Sequence, residues 1–139
     1  MKLIESFTGF QPLQEAWIGG TYPSKFYEDL PNQVEDTFSR ITEQTLYGLK
    51  NLQNKLAELG VKVRTPNFTN NKEDYLDSFG NLIKPPIAPR DWAITIGEQL
   101  WIIPQGYKAE PFADAINEYM DNGDRVEILQ RGSDPRAWL

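Results

Sequence analysis

Arg90 and Asp91 follow Pro89 at the head of a β-rich run, Trp92-Ala93-Ile94-Thr95-Ile96, and just after a long polar segment. A carboxylate at a strand edge beside such a loop can take a cation. It takes a guanidinium through two parallel hydrogen bonds, a geometry that no lysine reproduces. Two plainer roles fit the same residues: pairing with charges nearby, or capping of a turn by Asp91. Glu73, Asp74 and Asp77 could offer oxygen ligands to a hard cation, but they lack EF-hand spacing and read as a solvated acidic loop. Gly19-Gly20 is no phosphate loop, since no Gly-Lys-Ser/Thr follows it.

Other chemistry is excluded by composition. The 139 residues contain no Cys and no His. Thiol nucleophiles, thiolate metal sites and disulfides go with the first, and the usual neutral-pH base goes with the second. A net charge of −6, with Lys and Arg scattered singly, supplies no basic footprint for nucleic acid or an anionic membrane surface. The start, Met1 to Ser6, has no apolar core of a signal peptide, and no apolar run is long enough to span a bilayer. A soluble cytoplasmic protein is the default reading.

The elements that must position Arg90 and Asp91 follow from periodicity. With 40% hydrophobic residues the chain can bury a core, and its length suits one domain or a large part of one. Leu13 to Ile18, ending in Gly19-Gly20, reads as a short buried strand, and Thr21 to Pro31 as a loop. Phe38, Ile41, Thr45, Leu49, Leu52, Leu56 and Leu59 recur at helical steps. They predict a helix from Gln33 to Leu59, with Asn32 and Glu35 as a capping box and Gly60 at C′. Val61 to Arg64 alternates as a strand, and Asn67 to Pro86 reads as a long loop. Trp92–Ile96 and Gln99–Ile103 form a hairpin through Gly97-Glu98. Glu110-Pro111 opens a second helix with Phe112, Ile116, Tyr119 and Met120 on its apolar face, and Gly123 ends it. Arg125 to Leu129 is a last strand.

The order is therefore β-α-β-β-β-α-β, an α/β arrangement. Trp17, Trp92 and Trp101 are assigned to the core, and Tyr22, Phe26 and Tyr27 to loop packing. The chain stops on Trp138-Leu139, which reads as a cut end.

Three segments carry a family resemblance. Gly9-Phe10-Gln11-Pro12-Leu13-Gln14-Glu15-Ala16-Trp17-Ile18-Gly19 resembles the opening strand of the glycine/inosamine amidinotransferases, with Gln11 where that family has Asp. Leu59-Gly60-Val61-Lys62-Val63-Arg64-Thr65-Pro66 is similar to its "GVxVxxP" strand, and Pro89 to Glu98 to its "PRD" strand and Gly-acidic hairpin. After the hairpin the family runs into an Arg-rich segment, where this chain has Pro104 to Glu110.

The resemblance implies a partial pentein-like α/β-propeller of ββαβ units, spanning residues 1–139 as the N-terminal part of such a domain. It implies amidino chemistry on a guanidino substrate such as arginine, through a cysteine and a histidine that this chain lacks. It assigns Asp91 to substrate binding and Arg90 to a supporting role, and it calls for no cofactor and no metal. On this reading the chain alone is inactive. A homo-oligomer is compatible with it. Arginine deiminase-type hydrolysis, a small non-catalytic binding or regulatory protein, and a carboxylate-only hydrolase are the alternatives. A partial ring should expose apolar surface near Trp138 and along one helix.

Overall fold

A computed structural model describes residues 1–103 and 109–129. β1 (Glu15–Trp17) and β2 (Lys62–Arg64) lie parallel, with Glu15 opposite Lys62 and Trp17 opposite Arg64. Parallel neighbours need a crossover connection, and α1 (Asn32–Glu58) provides it. Gly60 ends the connection at φ +79°, the left-handed conformation expected of a C′ residue.

The second sheet starts at β3 (Ala93–Ile96) and turns through Gly97, whose φ of +58° a side chain would resist, into β4 (Gln99–Ile102). β3 and β4 are antiparallel, from Ala93 opposite Ile102 to Ile96 opposite Gln99. A 3-10 turn, Glu110–Phe112 with Pro111 in its first positions, leads into α2 (Ala113–Asp121). β5 (Arg125–Ile128) then returns parallel to β4, giving the order β3-β4-β5. Among the described residues no helix is long and apolar enough to cross a membrane.

Two cores form. The main one gathers Ile4, Trp92, Leu100, Ile102, Phe112, Ala115, Ile116 and Tyr119, with Trp17 and Val126 packed against it. Trp17 reaches it from the other sheet and stacks on Phe112 at 4.6 Å between ring centres. The smaller core joins Tyr22, Phe26 and Tyr75, with Phe68 and Leu82 against them. It gives the segments 21–31 and 67–86 an internal anchor, and each carries a 3-10 turn (Ser24–Tyr27 and Lys72–Tyr75). Of the tryptophans assigned to the core, Trp92 is buried while Trp17 and Trp101 are half-buried; Tyr22, Phe26 and Tyr27, assigned to loop packing, are buried.

The chain start is tied down rather than frayed. The backbone N–H groups of Leu3 and Ile4 donate to Asp124 Oδ1 at 3.0 and 3.2 Å, and Ser6 exchanges two backbone bonds with Gly97 at 2.7 and 2.9 Å. Burial alone would push the Asp124 carboxyl up, yet bonds from Asn122, Ile4 and Leu3 hold it below the usual range.

The first helix departs from its sequence pattern in two ways. It starts at Asn32 and stops at Glu58. Pro31 is its N-cap and makes no side-chain cap bond, so the Asn32–Glu35 capping box does not form; the Glu35 N–H donates to the Pro31 carbonyl instead. The packed side is also turned from the apolar stripe. Glu35, Ser39, Thr42, Thr45, Leu49, Gln53 and Leu56 are buried or half-buried, whereas Phe38, Ile41, Leu52 and Leu59 are exposed.

Length explains the mismatch. A 27-residue helix is about 40 Å long, whereas three-residue strands such as β1 and β2 run only about 10 Å. Most of α1 has no sheet beneath it, and its exposed apolar residues match the expectation of an uncovered helix face. The patch expected near Trp138 lies outside the described residues.

The Gly19-Gly20 pair at the end of β1 lets another backbone come close. A Cβ on Gly19 would sit 1.8 Å from the Ile87 carbonyl oxygen, and the Gly20 N–H bonds the Pro86 carbonyl at 3.1 Å. Gly19→Ala must therefore move backbone. It should lower stability by about 1–3 kcal/mol or more, whereas Gly9→Ala, with nothing near its Cβ, should unfold in urea much as the unaltered chain does. Equal midpoints for both variants would show that the close approach is not required.

Candidate functional site

Pro89–Asp91 forms a single 3-10 turn ahead of β3. The Asp91 N–H donates to the Ala88 carbonyl at 3.0 Å and the Trp92 N–H to the Pro89 carbonyl at 3.1 Å. Trp92, only 1% exposed, anchors the turn in the main core. Its indole N–H is buried without a partner, a cost that ring burial must offset. The backbone of the motif is thus held while its charged side chains are not. The Arg90 side chain is 91% exposed and that of Asp91 51%, with Arg90 Nε and Asp91 Oδ1 3.9 Å apart. A pair this loose and wet contributes little. Asp91 closes the turn with its backbone, which leaves the carboxylate available.

A cavity of about 420 Å³ lies beside this turn. Its walls come from the N-terminal segment (Lys2–Ser6), from Gln11–Glu15 with Trp17, and from Ala93–Thr95. Pro89 and Arg90 line it and Asp91 does not, so the two residues assigned together from sequence are separated by this boundary.

A second polar cluster went unassigned from sequence. Parallel pairing sets Glu15 and Trp17 against Lys62 and Arg64, and α2 adds Glu118 and Tyr119. Arg64 Nε donates to Glu15 Oε1 at 3.1 Å, and its other arm meets Glu118 Oε2 at 2.5 Å. Lys62 Nζ reaches Glu118 at 3.1 Å and Glu15 at 3.8 Å. The Tyr119 hydroxyl donates to Glu15 and accepts from Trp17 Nε1 at 2.8 Å.

Arg64 holds the Glu118 carboxyl down, helped by Lys62, to about 2. Its own guanidinium is pushed up in turn, chiefly by the Glu118 bond. Burial, and then the bond to Glu15, raises the Tyr119 phenol. Sequence held only a partial signal for this cluster: Lys62 and Arg64 share one face of β2, and Glu15 stands on the strand that the crossover helix joins to it.

The acidic loop is used locally. Asp77 Oδ1 accepts the backbone N–H groups of Phe79 and Asn81 at 2.8 and 2.9 Å, and Asp74 accepts from Thr69 and Asn71. Among the described residues no three carboxylates gather where they could hold a metal ion.

No protein-family model matches the sequence, and no curated protein matches it. Solved structures do. The inosamine-phosphate amidinotransferase StrB1 from Streptomyces griseus superposes on 96% of this chain with a TM-score of 0.70 at 18% identity. The fold is that of the amidinotransferases. SxtG, an amidinotransferase from Microseira wollei in the saxitoxin biosynthetic pathway, matches 94% of the chain with a TM-score of 0.69 at 17% identity. The chain spans 44% and 42% of the lengths of these two amidinotransferases. The resemblance placed on Pro89-Arg90-Asp91 and the two strand segments thus has its counterpart in three dimensions, at the level of fold.

The Glu118 carboxyl gives a pH test. Its folded value, about 2, lies below its ordinary 4.5. Its contribution is therefore fully present above about 4.5 and is lost as pH falls toward about 2. The urea midpoint of the unaltered chain should fall across that window more steeply than that of Glu118→Gln. Parallel acid slopes would remove Glu118 from the cluster's energetics.

Proposed function

We propose that this chain is the N-terminal portion of an amidinotransferase-like enzyme acting on guanidino substrates such as arginine, with Asp91 receiving the guanidinium and Arg90 supporting it. The observation that carries the reading is the fold shared with two amidinotransferases over nearly the whole chain. The finer architecture proposed with it is a partial pentein-like propeller of ββαβ units, in a cytoplasmic protein.

Asp91 suits the role physically. It stands on a hydrogen-bonded turn, half-exposed, with the exposed Arg90 3.9 Å away and holding it only loosely. An ionised carboxylate in that state can accept both arms of a planar guanidinium.

Amidino transfer through a covalent intermediate needs a nucleophile at the guanidinium carbon and a group to move protons. Without Cys or His, the chain would hold the substrate while residues outside it react. Transferase and deiminase-type hydrolase chemistry share this holding step. A second reading, a non-catalytic guanidino-binding or regulatory protein on the same scaffold, is favoured by the same missing side chains.

Titration calorimetry with arginine tests the assignment. The chain alone should bind arginine weakly, in about the millimolar range, and Asp91→Ala should weaken binding by about tenfold. No amidino transfer should be detectable without a further polypeptide. Arginine affinity unchanged in Asp91→Ala would remove the carboxylate from the site, and transfer by the chain alone would remove the fragment reading.

A further inference from the structure

The turn that ends α2 also holds the start of the chain. Asn122 caps the helix, Gly123 follows at φ +81°, and the Asp124 N–H returns to the Tyr119 carbonyl at 3.0 Å. The first residues converge on this turn. The Met1 carbonyl accepts from Asn122 Nδ2 at 3.0 Å, and Lys2 Nζ donates to the Gly123 carbonyl at 2.8 Å. The N–H groups of Leu3 and Ile4 meet Asp124 Oδ1. Asn122 Nδ2 also bonds Asp124 Oδ2 at 2.6 Å, so both of its hydrogens are used.

This amide sits at a chemically weak position. Of the chain's asparagines only Asn122 precedes a glycine, where no Cβ shields the next backbone nitrogen. The Gly123 nitrogen can attack Asn122 Cγ. The N–Cγ bond forms, the Cγ–Nδ2 bond breaks, and ammonia leaves with the proton of the attacking N–H. Water then opens the cyclic imide to aspartate or isoaspartate. Asn122 is exposed, so water reaches it.

The folded turn blocks the first step. The Gly123 N–H donates to the Met120 carbonyl at 3.0 Å, and the Asn122 amide is held between Met1 and Asp124. Attack needs those bonds undone, so the reaction runs through the locally opened state in which the chain start has detached.

Once the reaction has run, the anchor does not re-form. The new carboxylate has no hydrogen for the Met1 carbonyl or for Asp124. It also stands as a like charge beside Asp124, which is only 6% exposed. Isoaspartate lengthens the backbone by one carbon and disrupts the turn bonds of Gly123 and Asp124 as well.

We propose that Asn122–Gly123 is a self-modification site, a one-way latch whose deamidation frees the segment Met1–Ile4. Lys2, Leu3 and Ile4 line the cavity beside the Pro89–Asp91 turn, so their release opens that wall. The latch depends on the chain's own covalent chemistry, independently of any guanidino substrate.

Prolonged incubation of the full chain in mildly alkaline buffer, followed by peptide mass spectrometry, should find Asn122 converted ahead of every other asparagine. Ile4→Ala removes a buried anchor of the same segment and should react at least about threefold faster. The deamidated chain, separated by its added negative charge, should exchange the Leu3 and Ile4 amides at least about tenfold faster than the unaltered chain. Asn122→Asp should do the same. Asn117→Asp adds equal charge at an exposed position of α2 and should leave those amides within about twofold.

An Asn122 that stays intact, or reacts no faster than the other asparagines, would overturn the latch. So would equal rates in Ile4→Ala and the unaltered chain, slow Leu3 and Ile4 exchange after deamidation, or equal exchange in Asn122→Asp and Asn117→Asp. Where Ile4→Ala fails to fold, urea below the unfolding midpoint takes its place. It should speed the reaction in the unaltered chain, and a rate indifferent to urea counts against the latch.

Discussion

Trp17 is the joint on which the rest of the structure hangs. It is part of the two-stranded sheet, yet its ring stacks on Phe112 and lies 6.0 Å from Trp92 in the core of the other sheet. Its indole N–H bonds Tyr119, Tyr119 bonds Glu15, and Glu15 takes Arg64. Apolar stacking and a polar chain thus start from one side chain. Neither three-residue strand could define a sheet alone. Held by Trp17 against α2, the pair is fixed in place, and its β1 strand becomes a wall of the cavity beside the Pro89–Asp91 turn.

The helix that joins these strands obeys a different constraint. α1 must cross from the end of β1 to the start of β2, but it is far longer than that step requires. Only one side of it finds cover, through the Tyr27–Phe38 ring contact at 5.0 Å and the packing of Thr42. Exposed Ile41, Leu46 and Leu52 follow directly. A chain that spans less than half of each amidinotransferase it superposes on would be expected to leave such surface uncovered.

Much of this was legible in the sequence where the signal was local. The helical repeat, Gly60, the Gly97-Glu98 hairpin and Pro111 each depend on a few neighbouring residues, and each is found close to its place. The side of α1 that packs was not legible, because it depends on how little sheet lies below. The Asn32–Glu35 capping box failed because Pro31 takes the cap position with its carbonyl. The Arg64 cluster draws on β1, β2 and α2, and its members are separated by as many as 104 positions; the two basic residues on one face of β2 hint at it, but only the register joins it.

A carboxylate meets an arginine in two settings, one sealed and one open. Glu15 and Arg64 meet with side chains only 16% and 15% exposed, bound further by Tyr119, Lys62 and Glu118. Both carboxylates and the guanidinium are engaged there, so a ligand would have to displace bonds already made. Asp91 sits half in water on a turn fixed by its own backbone, beside an arginine too distant to hold it firmly. A cation arriving at Asp91 would displace water rather than protein. The Asp91 carboxylate is held on a fixed backbone and left half in water, whereas the Glu15 carboxylate is already spent inside the scaffold.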